Sequence, residues 1–207
     1  MRIRPRLRCQ VHAVLADHGI APEVSDLFGA GGRRFLAEVS LPPLSRNRMT
    51  TCLRLIDALT SELDSVDQEM RVVFRDHPAL PRLVRIPGVG FLTAATVIAE
   101  VWDVNRFRRA DQLCSWAGLT PTERSSAEHT RRGHISKQGS RWLRWMLVEA
   151  ATNHSGSDPN LRQFEARIAR RRGLKIARLA LARRLLTLCF YALRDPGGCA
   201  AYPLVPA

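Results

Sequence analysis

Two neighbouring serines head the most basic stretch of the chain. In RSSAEHTRRGHISKQGSR, residues 124–141, Ser125 and Ser126 stand beside Arg124 and ahead of Arg131, Arg132, His134, Lys137 and Arg141, with Arg144 just beyond. Cations at this density neutralise several phosphates at once. KQGS adds Gly139 and a capping serine, Ser140, at the start of a following helix, an end that favours an anion. A serine hydroxyl among phosphate-binding groups has two uses. Activated by a base or a metal, it attacks phosphorus; otherwise it donates a hydrogen bond to a phosphate oxygen. The residues alone favour the donor.

A second anion-binding pattern lies upstream. IPGVG, residues 86–90, separates two apolar segments and matches a helix–hairpin–helix turn. In such a turn Pro87, Gly88, Val89 and Gly90 bring backbone close to a phosphate, and the next helix offers its first N–H groups. The contact is to the DNA backbone and reads no sequence. The alternative is a plain turn between packed helices; the charge of the chain favours DNA.

Other candidates are weaker. Trp142 and Trp145 could stack on bases, but aromatic residues three apart on a helix are expected in a core, and no site is assigned to them. His12, His18, His77, His129, His134 and His154 have no metal-ligand spacing, and no paired carboxylates lie near them, so no metal site is expected. His129 and His134 are expected on a loop surface. Gly29, Gly31 and Gly32 lack the Lys-Ser or Lys-Thr of a phosphate-binding loop and read as a break between short helices. The run from Arg167 to Arg184 suits a nucleic-acid surface and a solvated helix equally.

Helices must position these residues. Apolar spacing predicts a helix over 6–17, and Pro42-Pro43 marks a boundary. Met49, Cys52, Ile56, Leu59, Leu63, Val66, Met70 and Val73 then alternate by three and four on an otherwise polar background. That is a heptad seam. So narrow a stripe points to a self-associating coiled coil, with packing inside its own domain as the alternative. Helices are expected on both sides of IPGVG, up to Gly118, over 140–152 with Leu143, Leu147, Ala150 and Ala151 inward, and in two further segments. No strand pattern stands out. The expected fold is mainly α: a long coiled-coil helix followed by a compact helical domain containing the helix–hairpin–helix.

Composition limits the partners. The chain has 207 residues, 45% of them hydrophobic, and a net charge of +13. From Thr120 onward there are sixteen Lys or Arg against six Asp or Glu, so most of the excess lies in the C-terminal half. An anionic partner is expected there. Without an apolar run near 18 residues or a lipidation signal, nucleic acid is favoured over membrane. Five cysteines without CxxC spacing suit a reducing cytoplasm.

Taken in order, LVRIPGVGFLTAATVIAEV, FRRADQLCSWAGLTP, the serine pair and RRGHISKQGSRWLRWMLVEAA resemble the C-terminal domain of bacterial insertion-sequence transposases of the IS one-ten family, from about Leu83 to Asp195. The resemblance implies DNA transposition with Ser126 as nucleophile and Ser125 as the fallback, the serine being held in a phosphoserine link to DNA. It implies a dimer or tetramer, a structured guide RNA, and Mg²⁺ on acidic residues of an N-terminal RuvC-like domain joined by a coiled coil. On that reading 1–45 is a remnant of the RuvC-like domain, 46–77 the coiled coil, 78–195 the serine domain and 196–207 a loose tail. The metal-binding carboxylates then lie upstream of Met1, and the chain is a truncated copy, inactive alone and without a cofactor of its own. The expected location is cytoplasmic, on the nucleoid when DNA-bound. The alternative is a non-catalytic, dimeric helix–hairpin–helix DNA-binding protein. Ala127 departs from the glycine of many relatives; if that position needs a positive φ, alanine costs about 1 kcal/mol.

Overall fold

A computed structural model describes residues 3–126, 129–153 and 158–194, with the backbone alone for 124–126 and 129–132. The tail 196–207, His154 and Ala127 lie outside the described residues. The chain divides into two compact units between Val72 and Val73.

The first unit is built from α1 (Ile3–Asp17), α2 (Ala30–Glu38) and most of α3 (Pro43–Phe74). Val11, Val14 and Leu15 of α1 meet Leu27, Leu36 of α2, and Met49, Cys52 and Ile56 of α3 in one apolar core. Arg46 closes the end of α2. Its Nη1 donates to the Leu36 carbonyl at 2.6 Å and its Nη2 to that of Val39, supplying partners that the last helical turn lacks. The expected break at the glycines is a helix instead. Gly31 and Gly32 lie inside α2, where a Cβ on Gly32 would collide with the Leu27 carbonyl. The glycine is there for close packing, which outweighs its poor helix propensity.

The heptad seam is divided along α3. Met49, Cys52 and Ile56 are buried in the first unit's core. Farther along, Val66 is 50% exposed and Val73 75% exposed.

The second unit is a helical cluster around α9 (Leu174–Arg194). Packed with it are α4 (Leu80–Leu83), α6 (Ala110–Trp116), α7 (Arg141–Asn153), α8 (Pro159–Arg172) and a 3-10 turn at Val104–Arg106; α5 (Phe91–Val101) lies against α4 and α7. Leu181, Leu185, Leu186, Cys189 and Phe190 of α9 are buried among Leu83, Val97, Leu113, Leu143 and Leu147. Asp158 caps α8 by accepting from the Asn160 N–H at 2.8 Å, and Gly173, at φ +83°, ends it. Within the basic run, Ala177, Leu181 and Ala182 are buried and Arg170, Arg171 and Arg172 exposed. Burial between α6 and α9 pushes the Cys114 thiol up, which keeps it protonated and unreactive.

The mainly α expectation holds, with one correction. Residues 121–135 are not a loop. β1 (Pro121–Ser126) and β2 (His129–Ile135) pair antiparallel as a two-stranded ribbon, so His129 and His134 lie in a strand.

Candidate nucleic-acid interface

The ribbon sets the serines in register. Ser126 pairs with His129, Ser125 with Thr130, Arg124 with Arg131 and Glu123 with Arg132. Because successive strand residues alternate faces, the ladder assigns Ser126, Arg124, Arg131 and His129 to one face. Ser125, Glu123, Thr130 and Arg132 share the other. The side chains of Arg124, Ser125, Ser126, Arg131 and Arg132 lie outside the described residues. Toward the base of the ribbon, Thr122 donates through Oγ1 to the His134 carbonyl at 3.0 Å. A Cβ on Gly133 would run into that hydroxyl, so the strands approach closely there. His134 is exposed.

After β2 the chain passes through Ser136, Lys137, Gln138, Gly139 and Ser140 before entering α7. This loop is bound to the turn that follows α6. The Ser136 N–H donates to the Thr120 carbonyl at 2.9 Å and the Lys137 N–H to that of Gly118 at 3.2 Å. Gly118 and Gly139 both have positive φ, at +72° and +69°. A Cβ on Gly118 would collide with the Gln138 backbone, and one on Gly139 with the Trp116 carbonyl. Arg144 reaches back from α7. Its Nη1 donates to the carbonyls of Ala117 at 3.0 Å, Gly139 at 3.1 Å and Gln138. Lys137, at φ +57°, is exposed and held in the left-handed region that a residue with a side chain rarely occupies.

Ser140 caps α7 by accepting from the Leu143 N–H at 3.2 Å, and its hydroxyl donates to Glu100 Oε1 on α5 at 2.6 Å. Leu143, Leu147, Ala150 and Ala151 are buried as the periodicity predicts. Arg141 is exposed at the start of the helix. Trp142 and Trp145 overturn the expectation of core packing. They are 63% and 54% exposed, with ring centroids 6.1 Å apart and planes at 80°.

The upstream turn lies between α4 and α5. Gly88 has φ +84°, the Val89 N–H donates to the Ile86 carbonyl at 2.9 Å, and Val89 is buried as an anchor. Pro87 is half-buried. Gly90 begins α5 in an extended conformation without a side-chain cap, and a Cβ there would meet nothing within 4 Å. The turn is thus fixed from inside and open outside.

Among the described residues, no group of three or more His, Cys, Asp or Glu could hold a metal ion, and no helix is long and apolar enough to cross a membrane.

Residues 80–166, which carry the turn, the ribbon and the anchored loop, match the family model described as Transposase IS116/IS110/IS902 family. The chain is 32% identical over 161 residues to the transposase for insertion sequence element IS1111A of Coxiella burnetii, covering 73% of this chain and 44% of that protein. It is 32% identical over 149 residues to the "Insertion element IS110 uncharacterized 43.6 kDa protein" of Streptomyces coelicolor, covering 68% and 37%. A 44.8 kDa protein of insertion element IS116 from Streptomyces clavuligerus is 30% identical over 164 residues, covering 76% and 40%. The chain thus spans less than half the length of these relatives. Homologues of this chain are insertion-sequence transposases.

Proposed function

We propose that this chain is the DNA-handling, serine-bearing part of an insertion-sequence transposase of that family. The observation that carries the reading is the ribbon register within the matched region: Ser126 shares a ladder face with Arg124 and Arg131. In the proposed reaction the Ser126 Oγ–P bond forms as one P–O ester bond of DNA breaks, and the leaving oxygen takes a proton. Arginines on the same face neutralise the phosphate. Ser125, on the other face, donates to phosphate and is the fallback nucleophile. Lys137, Arg141 and Arg132 add phosphate contacts. Arg144 and Gly139 act through the loop backbone they hold. Pro87 to Gly90 serve as a helix–hairpin–helix contact to the DNA backbone.

The family resemblance implies Mg²⁺, but the described residues offer no donor set for it. The described residues do not fit such a site. We propose that acidic residues of a RuvC-like domain supply it, with a structured RNA guiding the DNA, in the cytoplasm and on the nucleoid. The second reading is DNA binding without chemistry, through the same basic ribbon and loop. Self-association is assigned to the later, uncovered part of the α3 seam. Leu63→Glu tests it cleanly, whereas Ile56, 2% exposed in the first unit's core, would report unfolding. Light scattering should give a smaller mass for Leu63→Glu; an unchanged mass rejects the coiled coil.

The catalytic test is covalent adduct capture on a denaturing gel, with an acidic RuvC-like domain and cognate RNA present. Adduct should form with the native serine, vanish in Ser126→Ala and persist in Ser125→Ala. The reverse pattern would assign the nucleophile to Ser125. Adduct lost in neither would reject serine chemistry.

A further inference from the structure

We propose that the cleft between the start of α6 and the C-terminal half of α9 is a second phosphate site, one that takes a phosphodiester of a nucleic-acid strand. It rests on the nucleic-acid reading above but uses none of the ribbon residues. The cleft is open to solvent and measures about 410 Å³. One wall is a stripe along α9: Arg183, Thr187 and Tyr191 follow one another at one-turn intervals, and Arg194 continues the row. The other wall is Arg108, Arg109 and Asp111, with Phe190 buried behind them.

Among the described residues of the lining, four guanidinium groups thus face a single carboxylate, and that carboxylate is already engaged. Arg109 donates to Asp111 through Nε at 3.1 Å and through Nη2, and this bonding holds the Asp111 carboxyl below its ordinary range. An arriving anion therefore meets a neutralised pair and not a free negative charge. Among the described residues no carboxylate pairs with Arg108, Arg183 or Arg194. Arg194 is nonetheless fixed. Its Nη1 donates to the Arg108 carbonyl at 2.7 Å and its guanidinium lies 5.6 Å from the Phe190 ring centre. A planar donor fork held in place, with no carboxylate partner among the described residues, matches a phosphate oxygen pair.

Position argues for a strand over a free anion. α6 runs from this cleft to Trp116, whose carbonyl abuts Gly139 of the anchored loop. Seven residues of helix span roughly 10 Å. Each DNA strand carries a phosphate about every 3.4 Å of axis, so a few nucleotides bridge the two places.

The test titrates a labelled 30-base-pair duplex at several salt concentrations into native chain, Arg108→Gln/Arg183→Gln, and Lys137→Gln/Arg141→Gln. Both cleft side chains are exposed, and the Arg108 carbonyl that Arg194 grips survives, so the melting temperature should not move. The single variant Arg183→Gln repeats the measurement if it does. The cleft variant should bind about ten-fold more weakly at low salt, with a log–log salt slope shallower by about two. Native affinity and slope in the cleft variant, with loss only in Lys137→Gln/Arg141→Gln, would overturn the cleft and leave the nucleic-acid reading intact. Salt-independent binding by all three would remove that reading, and the cleft with it. Inorganic phosphate alone, followed by NMR of the Tyr191 ring, separates the sources. Phosphate binding that Arg108→Gln/Arg183→Gln abolishes, without any change in DNA affinity, would make this a free-anion site and overturn the strand proposal.

Discussion

The two glycine turns, 87–90 and 136–140, look alike as sequence and differ as structure. Each was expected to bring backbone to a phosphate. In the later turn glycine brings backbone to backbone: Gly139 lies against the Trp116 carbonyl, and Gly118, in the turn after α6, lies against Gln138. In the earlier turn the Cβ position of Gly90 opens onto empty space. One turn is closed by packing and has its cations displayed from a fixed frame. The other keeps its outer surface clear. A glycine beside a helix start therefore has two separable meanings, closeness within the fold or access from outside, and only the neighbouring atoms distinguish them.

Substitutions should widen this contrast. Gly139→Ala has the largest expected effect. It combines a positive φ with a collision against backbone, neither of which relaxes cheaply, for a loss of about 3 kcal/mol in chemical denaturation. A loss below about 1 kcal/mol would mean the loop is not closed as described. Next comes Arg144→Ala, which strips three carbonyls of a charged donor and should cost about 2 kcal/mol. Arg144→Lys should recover only part of it, since an ammonium lacks the rigid fork; full recovery would reduce the clamp to simple charge. Gly90→Ala is the smallest. At φ −81° with open space around it, alanine should be neutral or stabilise by about 0.5 kcal/mol. Duplex affinity should nonetheless fall several-fold as the methyl holds the phosphate away. Unchanged affinity would remove the earlier turn from the interface.

Most helices were legible because their apolar residues repeat at helical spacing. Ser140 as a cap and Leu143, Leu147, Ala150 and Ala151 as a buried face follow from α7's sequence alone. The ribbon was not legible, for a physical reason. Pro121–Ile135 contains almost no apolar residue, and Glu123, Gly133 and His134 are exposed. A ribbon with so few apolar residues leaves no alternating pattern to read. The tryptophans are a different case. Residue type suggested core, but the helical period puts Trp142 and Trp145 opposite Leu143 and Leu147, and the period was the better guide. The seam of α3 read as one stripe, yet its first turns had partners in α1 and α2 that spacing within α3 could not disclose.

The place of α9 in the chain has a consequence for synthesis. This helix touches α4, α6, α7, α8 and the 3-10 turn, and its Leu181, Leu185, Leu186 and Phe190 complete the core that Leu83 begins. About a hundred residues separate those partners. At ribosomal rates of about 5–20 residues per second, the apolar face of α4 waits on the order of 5 to 20 seconds for the helix that covers it, and those of α6 and α7 wait less. The first unit completes its own core between Val11 and Ile56, within Met1–Val72, so its wait is less than half as long. The nascent second unit is therefore the stretch most in need of a chaperone, until α9 arrives.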